Sequence, residues 1–104
     1  MINPGYIYCA QLFGAGESLL KIGHSYNPKY RLRNIRHVLP FHIEIVATFI
    51  GTRPYEGALH RYLAPSRKQG EWYYGTNLLW DFVASGEFTG DFNNAIKLER
   101  ITLS

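Results

Sequence analysis

The sequence predicts an α+β domain in which a small antiparallel sheet of three strands is flanked by helices. Three observations lead there: apolar and aromatic runs of strand length at 5–13, 18–24 and 42–50, proline-opened helix starts at Asn27-Pro28 and ahead of Pro54, and glycine or proline breaks between these segments. At 104 residues the chain suffices for one compact domain over 1–104 and is too short for two of ordinary size. Its 46% hydrophobic and 18% charged residues describe a chain that folds.

The first strand, Gly5 to Phe13, stops at Gly14-Ala15-Gly16, and a second run, Ser18 to His24, follows at once, so the pair reads as a hairpin with Tyr8 and Lys21 on neighbouring strands. Asn27 can cap a helix whose first position is Pro28. That helix runs to about His37, with Tyr30, Leu32, Ile35 and Val38 near helical spacing and Lys29, Arg33 and Arg36 on other faces; Pro40 ends it. Alternation of His42, Ile43, Glu44 and Ile45 opens a third strand, to Ile50, with one half-wet face.

A second helix spans Pro54 to about Leu63, with Thr52 or Arg53 as cap, and places Glu56 and His60 four apart on one face. Ala64 to Gly70 is a basic loop, Glu71 to Tyr74 a short extended segment, and Thr76 to Val83 a third helix stopping near Gly86. The stretch from Thr89 to Ser104 carries no assignable pattern.

A formal charge of +3 and a pI near 9.1 lean mildly toward an anionic partner. Placement says more: Lys29, Arg31, Arg33, Arg36 and His37 crowd one stretch, and Arg61, Arg67 and Lys68 form a second group. Such patches contact phosphates without reading sequence. A lone Cys9 in an apolar run, no signal-peptide pattern and no apolar run near the roughly 18 residues of a membrane span lead to the expectation of a cytoplasmic, membrane-free protein.

Tyr6-Ile7-Tyr8, followed after a glycine-bearing turn by Leu20-Lys21-Ile22-Gly23, resembles the paired strand motifs of the GIY-YIG nuclease superfamily. The first glycine is replaced by tyrosine, and lysine stands where the second motif's tyrosine would be, as in one branch that includes a restriction endonuclease. His24, Asn27-Pro28, Arg31-Leu32, Glu56 and Gly70-Glu71-Trp72-Tyr73 then follow in the order of a phage- and bacterium-associated branch. The resemblance covers a core of about 5–83 and leaves 84–104 as a C-terminal extension.

It implies a metal-dependent endonuclease that hydrolyses phosphodiester bonds of nucleic acid, DNA in preference. Glu56 would be the ligand of one Mg²⁺ or Mn²⁺ ion, which completes its shell with water and phosphate oxygens. Arg31 would clamp the scissile phosphate through paired N–H groups. Tyr8 would be the general base, given nearby positive charge from Lys21 to lower its pKa. His24 would hydrogen-bond the tyrosine or a phosphate, with Tyr6 in support; Arg33, Arg36, Arg61 and Lys68 would hold the nucleic-acid backbone. His60 is read as support, and Glu71 and Trp72 as packing. A homodimer or a partner protein would supply double-strand cutting or specificity. The competing expectations are an inert nucleic-acid-binding or adaptor module on the same fold, and an unrelated anion-binding protein in which Tyr8 and Glu56 lie far apart.

Overall fold

A computed structural model describes residues 3–103. In chain order its elements are β1 (Tyr6–Phe13), β2 (Leu19–Ser25), α1 (Pro28–Val38), β3 (His42–Ile50), α2 (Arg53–Tyr62), a 3-10 turn (Ala64–Ser66), β4 (Arg67–Gln69), β5 (Trp72–Tyr74), α3 (Asn77–Ser85), β6 (Glu87–Thr89), β7 (Ala95–Lys97) and β8 (Arg100–Ile101). The α+β class stands. The sheet is wider than three strands: six pair antiparallel in the order β4-β5-β2-β1-β3-β8, and β6 with β7 forms a separate two-stranded ribbon. The three strands expected from sequence are its centre. The added ones are two or three residues long, too short to carry a period-2 pattern of their own.

Both faces of the central strands are covered. Ile7, Cys9, Leu20, Ile22, Ala47 and Phe49 pack with Leu59 and Leu63, Tyr73, and Leu79, Phe82 and Val83 of α3. On the other face Tyr8, Ala10, Leu12, Leu19 and Ile43 meet Leu32 and Ile35 of α1, with Trp72 against the cluster. This is why residues 7–10 are uniformly buried rather than alternating: both sides of β1 lie against other elements. A register shift between Cys9 and Ala10 leaves Val46 as the extra residue of β3. Ile43 and Ile45 therefore face α1, while Ala47 and Phe49, beyond the bulge, face the other layer.

Local chemistry sets the helix ends. The Asn27 side chain accepts from the Tyr30 N–H at 3.2 Å, and Thr76 Oγ1 from Leu79 N–H at 3.3 Å. Gly86 ends α3 in the left-handed region at φ 73, where a Cβ would also come 2.7 Å from the Leu98 carbonyl oxygen. The tail beyond it shares the core: the Phe88 ring meets Phe82 edge-on and Tyr62 at a tilt, Leu98 is buried, and β8 pairs with β3. No helix among the described residues is long and apolar enough to cross a membrane.

Burial pushes the Cys9 thiol from 9.0 to about 12 and, as its largest cause, the Tyr73 hydroxyl from 10.0 to about 12. The folded state thus keeps protons that the unfolded chain gives up. Stability from these groups is full below about pH 9 and lost as pH rises toward 12. The thermal midpoint should be level from about pH 7 to 8.5 and fall steadily above 9, and Cys9→Ala should lack the first part of that fall; parallel curves would sink the assignment. Leu59→Ala, a fully buried truncation, should cost about 2–5 kcal/mol by denaturant titration.

Candidate active site

Tyr8 lies on the α1-facing side of β1, 1% exposed, and its ring reaches across to β2 at Gly23. A Cβ at Gly23 would stand 2.5 Å from the Tyr8 hydroxyl and 2.6 Å from Cζ, so only glycine leaves the hydroxyl its place. Burial raises the phenol pKa above 10.0; the neighbouring Arg31 guanidinium opposes this by hydrogen bonding and charge, and Glu71 and Glu56 add to the rise. Tyr8 and Glu56 are within electrostatic reach of each other.

Lys21 is buried, and its Nζ donates to Glu71 Oε1 at 2.7 Å while standing 5.6 Å above the Trp72 ring. The pairing of Lys21 with Trp72 across β2 and β5 sets this contact. Arg31 is the cation that opposes the rise at Tyr8, while Lys21 is engaged by Glu71.

Glu56 sits in the first turn of α2, where the helix dipole favours a carboxylate. Its side chain is 12% exposed, His60 Nε2 is 3.5 Å away, and Oε2 is buried with no hydrogen-bond partner among the described residues. The 3.5 Å approach is too long for a hydrogen bond, so the oxygen is unsatisfied despite the neighbouring imidazole. Donor atoms of Glu56, His60 and Glu71 all lie within 4.8 Å of one another. His60 Nδ1 is hydrogen-bonded to the Tyr73 hydroxyl, and the two rings stack at 5.4 Å. An imidazole that uses Nε2 as a ligand carries its proton on Nδ1, and the Tyr73 oxygen is placed to accept it.

The remaining expected residues divide. His24, three positions after Lys21, falls on the opposite face of β2; its Nε2 is 3.0 Å from the Pro4 carbonyl oxygen and its ring meets Tyr26 edge-on. It packs where a Gly5 side chain would otherwise be, and not at the Tyr8 hydroxyl. Tyr6 is half-buried on the Tyr8 face. Arg36 gives Nε and Nη2 to the Ile43 carbonyl at 3.0 and 2.9 Å, Arg61 makes a two-pronged pair with Asp91 at 2.8 and 2.7 Å, and Lys68 meets Glu17 at 2.6 Å. These three brace the fold, whereas Arg33 is exposed with no such partner among the described residues.

Glu71, Tyr73 and Gly23 are the residues whose importance sequence reasoning missed. Glu71 and Tyr73 sit in a segment whose strand pairing brings them to Lys21 and His60, and only the Gly70-Glu71-Trp72-Tyr73 run hinted at it. Gly23→Ala should destabilise the fold by about 1–3 kcal/mol through overpacking, and a second change, Tyr8→Leu, should recover much of that loss. Additive losses in a double-mutant cycle would show that the two side chains do not compete for space.

The T5orf172 domain model matches residues 5–86. No curated protein and no solved structure matches the chain.

Proposed function

Because the chain belongs to the T5orf172 domain family, a GIY-YIG-like, phage-associated nuclease-type domain, we propose that it is a metal-dependent endonuclease hydrolysing phosphodiester bonds of DNA. The observation that carries this reading is the buried, partnerless Glu56 Oε2 facing His60 and Glu71, beside the Tyr8–Arg31 pair. A buried carboxylate oxygen without a partner is costly, and a divalent cation is a natural way to satisfy it.

Glu56 would hold one Mg²⁺ or Mn²⁺, with Glu71 and His60 as further donors; two carboxylates and an imidazole suit Mn²⁺ especially well. Bound there, the ion would stabilise charge building on the phosphate and leave positions open for water and substrate. Arg31, exposed and next to Tyr8, would grip a non-bridging phosphate oxygen pair through its fork of N–H groups. Lys21 holds Glu71 in place by their ion pair and would act as a positioning residue.

Tyr8 would take the proton from the attacking water. Its pKa is raised in the protein alone, so the protonated phenol prevails near neutrality. Burial is the largest cause of the rise and persists; neutralising Glu56 and Glu71 would remove the two like-charge effects on the phenolate and leave Arg31 as the group opposing burial. With the phenolate still the minor form, its fraction grows about tenfold per pH unit, so the log of the cleavage rate should climb with a slope near one across about pH 6.5–8.5. Tyr8→Phe should lose that climb together with most of the activity, while binding nucleic acid normally; an active variant with an unchanged profile would remove tyrosine from the base role.

The direct test combines metal titration with cleavage. Calorimetry should show Mn²⁺ binding to the wild type and a drop on the order of 10²-fold or more for Glu56→Gln. Supercoiled plasmid should be cut with Mg²⁺ or Mn²⁺, spared with EDTA, and spared by Glu56→Gln. Metal binding that survives the substitution would take Glu56 out of the site, and a wild type that binds DNA but never cuts it would leave an inert binding module.

A further inference from the structure

A groove of about 670 Å³ lies away from the carboxylate cluster, between α1 and the edge formed by β3 and β8. Three cationic side chains of α1 line it, Lys29, Arg33 and Arg36, with Arg100 at its β8 edge, against one carboxylate among the described residues, Glu44, which is already paired with His42 at 2.8 Å. Arg100 comes from the stretch beyond the family match, which ends at 86. Its guanidinium lies by the Phe49 ring, 5.7 Å from the centroid and on the sheet face turned away from α1, with a 3.4 Å contact to the Val46 carbonyl, and the residue remains exposed at the strand edge.

Helical geometry relates this groove to Tyr8. With Leu32 and Ile35 turned to the sheet, Lys29, Arg33 and Arg36 share one flank of α1, and Arg31, about 200° around from Lys29, falls on the other. The crest between the flanks carries exposed Tyr30, Asn34 and His37. A helix with its side chains is about 10–12 Å across, and the major groove of B-form DNA is about 12 Å wide with a phosphate backbone on either side.

We propose that the basic groove holds the backbone of the strand opposite the one at Arg31, with α1 lying between the two strands in a major groove, so that the ligand is duplex DNA. This rests on the nuclease reading for the identity of the strand at Arg31, but the groove is a separate surface with its own readout. Duplex RNA is disfavoured because its major groove is too narrow and deep to admit a helix. Arg36 contributes mainly charge, since two of its nitrogens are committed to the Ile43 carbonyl.

Fluorescence anisotropy over a salt series tests it, with all variants carrying Glu56→Gln and probed with the same sequence as duplex DNA, single-stranded DNA and duplex RNA. Combining K29Q, R33Q and R100Q should weaken duplex DNA binding roughly tenfold or more and lower the salt slope by about two to three, with a much smaller effect on the single strand. Glu44→Gln, which removes the one acidic side chain lining the groove among the described residues, should tighten duplex binding, a gain that misfolding cannot produce.

Unchanged duplex affinity in the triple variant, equal losses on duplex and single strand, or tighter binding of duplex RNA would each overturn the proposal. A plasmid assay without the Glu56 change separates the two readings. Duplex-selective loss of affinity in a protein that never cuts DNA keeps the groove and removes the nuclease, whereas a cutting protein indifferent to the triple variant keeps the nuclease and removes the groove.

Discussion

The arrangement depends on the space over Gly23. A tyrosine in the middle strand of a sheet covered on both faces has nowhere to put a hydroxyl unless a neighbouring strand gives up a side chain, and β2 does so at the position paired with Tyr8. From that opening the hydroxyl comes within electrostatic reach of Arg31 of the covering helix and of Glu56 and Glu71. A bulky residue at 23 would push the ring against α1, and the contact between sheet and helix that positions Arg31 would shift with it. Packing and site chemistry are therefore one constraint here, imposed at a single glycine.

The charges around that point are balanced by pairing rather than by solvent. Lys21 is buried and needs Glu71; Glu71 stands near Glu56; Glu56 keeps one oxygen without a partner among the described residues. Breaking the Lys21–Glu71 pair would leave an ammonium with little access to water and free a carboxylate beside another carboxylate, unfavourable on both counts. The same crowding that makes the cluster costly in the protein alone makes it receptive to added positive charge. Stability and receptivity are opposed at this site, a common cost of assembling ionised groups for function.

How much of this was legible in the sequence follows from the range of each interaction. Asn27-Pro28, Thr76 and Gly86 act within a few residues, so helix starts and stops read correctly from local chemistry. The three long strands carry enough residues for their apolar runs to be seen. β4 and β8 do not, because what makes them strands is the backbone edge they meet, and that edge belongs to distant sequence; β5 read as a short extended segment by composition, but its place beside β2 did not. His24 shows the converse error: three residues after Lys21 looks close along the chain, yet the period of two in a strand sends the pair to opposite faces. Arg36, Arg61 and Lys68 looked like free cations because their partners, the Ile43 carbonyl, Asp91 and Glu17, lie too far along the chain for a local pattern to reveal.

Helix α1 has the most demanding composition in the molecule for this reason. One side must be apolar enough to cover Tyr8, Ala10 and Ile43, and eleven residues make only about three turns, so few positions remain for anything else. Basic residues fill both margins of the apolar stripe, and their long aliphatic stems can lie along the sheet while the charged ends stay outside. Arg31 and Arg33 are neighbours but one in sequence and yet leave the helix on different flanks, one toward the tyrosine and the other toward the groove that β8 closes. A short helix can thus serve two surfaces at once because 3.6 residues per turn separates i and i+2 by more than half a turn. The edge strand supplied by the tail gives the second flank a wall, and without it Lys29 and Arg33 would border an open sheet edge rather than a groove.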